Sequence, residues 1–396
     1  MAKTIRLYHE DAYLTEFEAE VVERTEREGR PAVVLDRTAF YPESGGQPWD
    51  KGELGGAAVV EVHDLDDAIL HVLDRPVEGG RLHGRVDWPT RFDHMQQHTG
   101  QHVLSQAFWE VLKGETRSFH LGPEVSTLEI GLASASDAGL DQVEDRANAI
   151  VWEDRAVKIS FVPEDRIDEV PLRRPPKKSG LLRVIEVDGF DFSACGGTHV
   201  RRTGEIGLVR LGPAEKIRGN LRFDFLCGGR ALRDYRSKDR TVRALAGSFS
   251  CAAAGVGAQV GKLGADHKAL KKRARKLEER LAAFEAAEIV RSAPGRVISG
   301  LLEDKTPDEA RFLALNVIRS GEFAVAYGAP GEAQGHLIVA RAESLPADLR
   351  QIVPAVAAVV PVKGGGGPSL VELVTPDKAR LREAVEAAAA WLREKT

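Results

Sequence analysis

His98-Thr99-Gly100-Gln101-His102-Val103-Leu104-Ser105-Gln106-Ala107-Phe108 is the stretch on which the reading of this chain turns. Two histidines four apart, followed by apolar residues at helical spacing, ask for an α-helix with both imidazoles on one face. Upstream, Asp87-Trp88-Pro89-Thr90 supplies the start: an Asp or Thr cap, a proline in the first turn, and Asp93 three residues after Thr90 in capping-box register. Lys113-Gly114 supplies the stop. A histidine pair alone carries little, since packed or solvated histidines are the commoner outcome. The weight comes from a second pair, Cys195-Gly196-Gly197-Thr198-His199, which follows His102 after 93 residues. A cysteine four before a histidine, inside a Gly-Gly turn able to bend both side chains inward, has little structural reason to exist without a metal. His98, His102, Cys195 and His199 form a borderline-soft N/S set suited to Zn²⁺. His94, one turn earlier on the same face, is either a ligand in place of His98 or a partner behind the ligands. The HExxH metalloprotease reading fails, because Thr99 stands where the glutamate base is needed.

Outward from this helix the chain changes character several times. Residues 1–88 carry short alternating or β-branched runs, among them PAVVLDRTAFYP and GGAAVVEVHDLDDAILHVLDRP, punctuated by glycine, which predicts a small β-barrel. Residues 89–236 hold the helix, a strand pair around SFHLGPEVSTLEIGL, a helix over DQVEDRANAIVWED, the strand VKISFVP, and an irregular basic stretch with strands LLRVIEV and LRFDFLC. Residues 237–293 read as a helical, coiled-coil-like linker: Leu263, Leu270, Leu277 and Phe284 fall seven apart, with Ala274 and Leu281 between them. Gly255, Gly257, Gly261 and Gly264 are expected to break or kink its first part. Residues 294–396 read as an α/β domain, with VISGLL, FAVAYGAP, HLIVARA and AVVPVK as strands and DEARFLALNVIRS and DKARLREAVEAAAAWLREK as helices. The fold class expected is α+β, in four domains.

At 396 residues, 43% hydrophobic and 29% charged, the composition is that of a globular chain. No run of about 18 apolar residues is present, so no membrane span is expected. The charged N-terminus lacks the apolar stretch of a secretory signal. Three scattered cysteines make no disulfide framework, and a cytoplasmic location is the expectation. The net charge of −5 gives no overall basic footprint. Two local runs do: RRPPKKSGLLR (173–183) has five positive charges and no acid, and KALKKRARKLEER (268–280) has seven positive and two negative. Each is a solvated face or a phosphate-contacting stripe.

HTGQHVLSQAF (98–108) together with CGGTHV (195–200) resembles the paired zinc motifs of alanyl-tRNA synthetase editing domains and of the stand-alone AlaX proteins. FYPESGGQPWDKGEL (40–54) is similar to that family's signature in the barrel that precedes them, and VVPVKGGGGPSLVEL (359–373) to the glycine-rich signature of its DHHA1 domain. The resemblance covers most of the chain and implies the long, DHHA1-bearing AlaX type. It favours His98 and His102 over His94 as ligands. The chain opens on the barrel and carries no Walker or Rossmann fingerprint, so activation of an amino acid with ATP is not expected.

What the resemblance implies is hydrolysis of the ester between a wrong amino acid, serine or glycine, and the 3′ end of tRNA(Ala). The expected site has one Zn²⁺, with His98, His102 and Cys195 as firm ligands and His199 weaker or displaced. A polar contact to the seryl hydroxyl is expected from Thr99, Gln101 or His120, because a site that hydrogen-bonds a hydroxyl rejects the analogue lacking it. Ser44 and Gln47 either line the cleft or belong to a turn whose Gly45-Gly46 needs positive φ. Lys177, Lys178, Lys216 and Arg218 are the expected tRNA phosphate contacts. The leucine stripe and the last domain suggest a homodimer. Two rivals stand beside this reading: a tRNA-binding or dimerising module with a structural zinc, and a threonyl-tRNA-type editing enzyme, which shares a similar ligand pair.

Overall fold

The structure is a computed structural model and describes residues 3–175 and 180–396. The chain forms two compact units, residues 1–244 and 245–396.

The first unit begins with β1 (Ile5–Arg6), β2 (Glu16–Arg27), β3 (Arg30–Leu35), β4 (Arg37–Thr38), β5 (Gly52–Leu54), β6 (Ala57–Leu65), β7 (Ala68–Leu73) and β8 (Arg81–Val86). Strands β2, β3, β7, β6, β5 and β8 close a barrel in that order, every neighbour antiparallel. The alternation that suggested strands is the inside–outside code of the barrel wall: β8 reads exposed-buried three times over, and Phe17, Leu35, Leu54, Val62, Leu73 and Leu82 fill the interior.

Helix α1 (Trp88–Leu112) follows the barrel directly. Its cap is Asp87, which accepts from the Thr90 backbone N–H at 3.4 Å, with Pro89 in the first turn; Lys113 ends it in the left-handed conformation. The capping-box register of Asp93 is not used. Its carboxylate pairs with the guanidinium of Arg230 at 2.6 Å, a charge-assisted bond stronger than a reach back to a capped terminus.

Around α1 lie β9 (Thr116–Leu121), β10 (Ser126–Ile130), α2 (Asp137–Trp152), β11 (Val157–Pro163), β12 (Leu181–Val187), β13 (Asp191–Ala194), β14 (Val209–Ile217) and β15 (Asn220–Cys227). They form two antiparallel sheets, ordered β14-β15-β10-β9 and β11-β12-β13. Met95, Val103, Leu104 and Phe108 of α1 pack with Leu128, Ile130, Val143, Ile150, Phe223 and Phe225 in one core. Helix α3 (Gly228–Ser248) leads out of this unit.

In the second unit, α4 (Val256–Ser292) runs for 37 residues. Gly257, Gly261 and Gly264 lie inside it without a break, and only Gly255 falls in the preceding turn. Each internal glycine costs about 1 kcal/mol relative to alanine, which a long helix anchored at its far end absorbs. That anchor is Ala282 and Ala286, buried against α5 (Pro307–Arg319). The remaining elements are β16 (Val297–Leu301), β17 (Ala324–Pro330), β18 (Gly335–Arg341), α6 (Ile352–Ala357), β19 (Lys363–Gly366), β20 (Leu370–Thr375) and α7 (Leu381–Lys395). The sheet order is β16-β17-β18-β20-β19, with β16 and β17 parallel. Alternate residues of β17 and β18 serve two cores, one under α4 and α5, the other under α6 and α7. AVVPVK, expected as a strand, is instead the turn after α6. Pro361 denies it a ladder donor, and the strand proper starts at Lys363 on the open edge. No single helix among the described residues is long and apolar enough to cross a membrane.

Candidate metal centre

Helix periodicity turns His98 and His102 to one side of α1, where the segment Cys195–His199 crosses them. One donor atom from each of His98, His102, Cys195 and His199 lies within 4.8 Å of the others. Cys195 Sγ is 3.4 Å from His98 Nε2 and 3.4 Å from His199 Nε2. Three imidazoles and one thiol, three of the four side chains buried, form a donor set that fits a tetrahedral Zn²⁺. His94 does not join them. It is buried one turn earlier with Nδ1 unpartnered among the described residues, and burial lowers its pKa.

Each histidine turns its Nδ1 away from the cluster onto a separate partner. His98 Nδ1 meets Gln47 Oε1 at 2.8 Å, His102 Nδ1 meets Asp191 Oδ2 at 3.2 Å, and His199 Nδ1 meets Thr99 Oγ1 at 3.1 Å. Partners of this kind fix ring orientation and leave Nε2 for a metal. Asp191 is in turn held by Arg173 at 2.7 Å and Ser193 at 2.9 Å. Burial works against its charge, yet the His102 hydrogen bond and the Arg173 guanidinium hold its pKa below the ordinary carboxylate value.

The segment 195–200 has no regular secondary structure and is held from outside. Arg183, itself buried, donates to the carbonyls of Cys195 at 2.8 Å and Gly197 at 2.9 Å, and to His9 O at 3.0 Å. Gly197 is there for space: a Cβ on it would fall 2.1 Å from His98 Cε1. At Gly196 the nearest atom would be 4.0 Å away.

Electrostatics inside the cluster favour a thiolate. Burial would raise the Cys195 thiol, but the imidazoles of His98, His199 and His102 gathered around the sulfur pull it well below its ordinary value. His102 is raised to about 9: burial opposes its proton, and hydrogen bonds to Asp191 and to the Cys195 sulfur outweigh that. His199 is pushed down to about 3, chiefly by burial.

The model described as "Threonyl and Alanyl tRNA synthetase second additional domain" matches residues 182–223, the segment that carries Cys195 and His199. The model "tRNA synthetases class II (A)" matches residues 5–90, which include the barrel. An alanine–tRNA ligase of Pyrococcus furiosus is 30% identical over 97% of this chain and 43% of its own length. The alanyl-tRNA editing protein AlaX-L of Pyrococcus horikoshii is 33% identical over 58% of this chain and 61% of its own length. The chain is thus similar to an AlaX-type editing protein and to alanine–tRNA ligases alike. It spans less than half the length of the alanine–tRNA ligases it matches first. Among solved structures, the C-Ala domain of Aquifex aeolicus alanyl-tRNA synthetase aligns with 24% of this chain and 87% of its own length at 18% identity, with a TM-score of 0.22, too low to bear on the fold.

The residues expected at the site fall into three groups. His98, His102, Cys195 and His199 converge, with Thr99 and Gln47 hydrogen-bonded to them. Thr99 is fully buried, its hydroxyl taken by His199 and by the Val200 N–H, so it holds a ligand histidine. Gln101 donates to Ser105 Oγ at 2.6 Å and leaves Oε1 buried without a partner among the described residues. Ser44 and Gln47 close a two-residue turn through Gly45 (φ 58°) and Gly46 (φ 85°), so the turn and the site are one feature. His120 is exposed and adjoins Phe119, whose ring stands 5.5 Å from that of His98; alternation along β9 turns the two side chains to opposite faces. Lys216 and Arg218 are exposed at the tip of the β14–β15 hairpin, and Lys177 and Lys178 lie outside the described residues. The sequence reading missed Asp191, Arg173 and Arg183. Nothing local distinguishes Asp191, while Arg173 and Arg183 open and close the basic run and turn inward from it.

Proposed function

We propose that this chain is a zinc-dependent hydrolase that removes serine or glycine from mischarged tRNA(Ala). The observation that carries the reading is the convergence of His98, His102, Cys195 and His199, each imidazole braced at Nδ1, in a chain related to an editing protein. Bound there, Zn²⁺ supplies a Lewis acid for the ester carbonyl. Cys195 is the one ligand that is not fully buried, so we place the approach of the aminoacyl end on its side. His199 is braced by Thr99 as His98 is by Gln47, which lends no support to its being the weak ligand. The unpartnered Oε1 of Gln101 is our choice for the acceptor of a seryl hydroxyl or an α-ammonium, ahead of Thr99 and the exposed His120. Lys216 and Arg218 are kept as tRNA phosphate contacts. The editing module is taken as the barrel together with residues 89–236, followed by the helical linker and the C-terminal α/β domain. Leu263, Leu270, Leu277 and Phe284 of α4 are all more than half exposed, which supports pairing with a second copy of the chain.

The test is deacylation of Ser-, Gly- and Ala-tRNA(Ala) with and without a chelator. The expected result is release of serine or glycine, sparing of alanine, loss with chelator and recovery with Zn²⁺. Full activity of the metal-stripped protein would overturn the proposal.

A further inference from the structure

Gln47 belongs to the loop between β4 and β5, 51 residues from His98 and 151 from Thr198, yet it touches both. Its side chain is fully buried and both its polar atoms are already bonded within the protein. Oε1 accepts from the Thr198 backbone N–H at 3.1 Å, and Nε2 donates to Thr198 Oγ1 at 2.9 Å. A peptide N–H can only donate, so the atom facing it is the amide oxygen and not the amide nitrogen. The same oxygen is 2.8 Å from His98 Nδ1. An oxygen with no proton of its own requires that Nδ1 be the donor. The His98 ring is therefore protonated at Nδ1, which leaves Nε2, 3.4 Å from Cys195 Sγ, as the nitrogen that faces the other donor atoms.

We infer that Gln47 is a positioning residue that sets the tautomer of His98 for metal binding, reading it from the backbone amide of the ligand loop. One oxygen thereby ties three segments together: the barrel turn, helix α1 and the Cys195–His199 loop. Until that loop brings its Thr198 N–H into place, the amide of Gln47 is free to turn over and present a donor to His98, the wrong partner for a ligand histidine. A second tie lies two helical turns away. Asp50, three residues after Gln47, forms a fully buried ion pair with Arg91, whose Nε donates at 2.9 Å and whose Nη1 and Nη2 donate to the carbonyls of Ala12 at 2.7 Å and Ala39 at 2.6 Å. The turn is thus fixed on α1 at two points.

This inference rests on the metal-centre reading, and its test separates the two. In the full-length protein labelled with ¹⁵N-histidine, long-range ¹H–¹⁵N correlation reports which ring nitrogen of His98 carries the proton, without metal and with Zn²⁺. Zn²⁺ affinity is measured by competition with a chromophoric chelator for the wild type, Gln47→Leu and Gln47→Glu. We expect His98 protonated at Nδ1 in the metal-free wild type, a mixture of tautomers in Gln47→Leu, and a roughly 10–100-fold loss of Zn²⁺ affinity in that variant. Gln47→Glu keeps an acceptor facing both the Thr198 N–H and His98, and is expected within about threefold of the wild type. Metal-free wild type with the proton on Nε2 overturns the proposal even if Gln47→Leu fails to fold, as does a folded Gln47→Leu with wild-type affinity and tautomer. A folded Gln47→Glu as weak as Gln47→Leu also overturns it. Wild type that binds no Zn²⁺ while His98 is protonated at Nδ1 overturns the metal reading and leaves the tautomer assignment standing.

Discussion

The two halves of the candidate metal centre are built by opposite means. His98 and His102 come from the middle of a 25-residue helix, and backbone hydrogen bonding sets their spacing and common face, with Gln47 and Asp191 orienting the rings. Cys195 and His199 come from a segment with no ladder of its own, shaped by a buried arginine, a barrel glutamine and a helix threonine. A helical half-site is local and robust, whereas a loop half-site is only as good as its distant supports. The helix fixes where the metal goes; the loop decides whether the set closes.

The largest effect should come from removing the ligand with no equivalent on the helix. Cys195→Ala is expected to lower Zn²⁺ affinity by more than roughly 100-fold, beyond the range of outer-partner changes, and to abolish deacylation while circular dichroism stays unchanged. A chain that unfolds instead would make the metal structural. Next, the two loop glycines should part company. Gly197→Ala drives a methyl into the His98 ring and should lower Zn²⁺ affinity roughly 10–100-fold, while Gly196→Ala should bind metal like the wild type. Equal behaviour of the two would mean the loop moves freely and the contrast drawn above is false.

The third concerns pH. In the metal-free cluster the loop already offers a thiolate at Cys195, and the helix holds the proton, on His102, up to about 9. Zn²⁺ must displace that proton, so apparent affinity should rise about tenfold per pH unit below 9 and level off above it. In folding terms the sign is opposite. A raised histidine stabilises the metal-free protein below about 6.5, and that contribution fades as pH climbs through 9. Replacing Asp191 by Asn removes a cause of the raised value and should move the break in the affinity curve downward. An unmoved break would assign the proton to another group.

The smallest effect on binding is expected for Arg183→Met. Three carbonyls, that of Gly197 buried, lose their donor, and urea melts should show a loss of about 1–3 kcal/mol, with Zn²⁺ affinity down severalfold. An unaltered melt would show that the loop finds water or a substitute donor.

How much of this was legible beforehand follows the same division. The helix announced itself through Asp87, Pro89 and its histidine spacing, and the four candidate ligands through their chemistry. The barrel showed in the alternation of strands such as β8. The supports did not show, because Gln47, Asp191 and Arg183 act across gaps of 51, 89 and 12 to 174 residues that no local pattern encodes. Gln47 could be named as lining the cleft or as part of a glycine turn, not as the support behind His98. Two errors came from weighing local signals without their context. The glycines of α4 read as breaks because their cost is local while the helix is anchored far away, at Ala282 and Ala286. AVVPVK read as a strand because β-branched composition outweighed Pro361.

The glutamine that reaches out of the barrel also changes what counts as the smallest working piece of this molecule. A fragment beginning at Trp88 would keep every candidate donor atom, and would pass any inventory of ligands. It would lack the acceptor behind His98 and the carboxylate that anchors Arg91, leaving a buried guanidinium without its counter-charge. Truncation between these modules is therefore a cut through the site itself, even though the cut falls ten residues away from the first ligand.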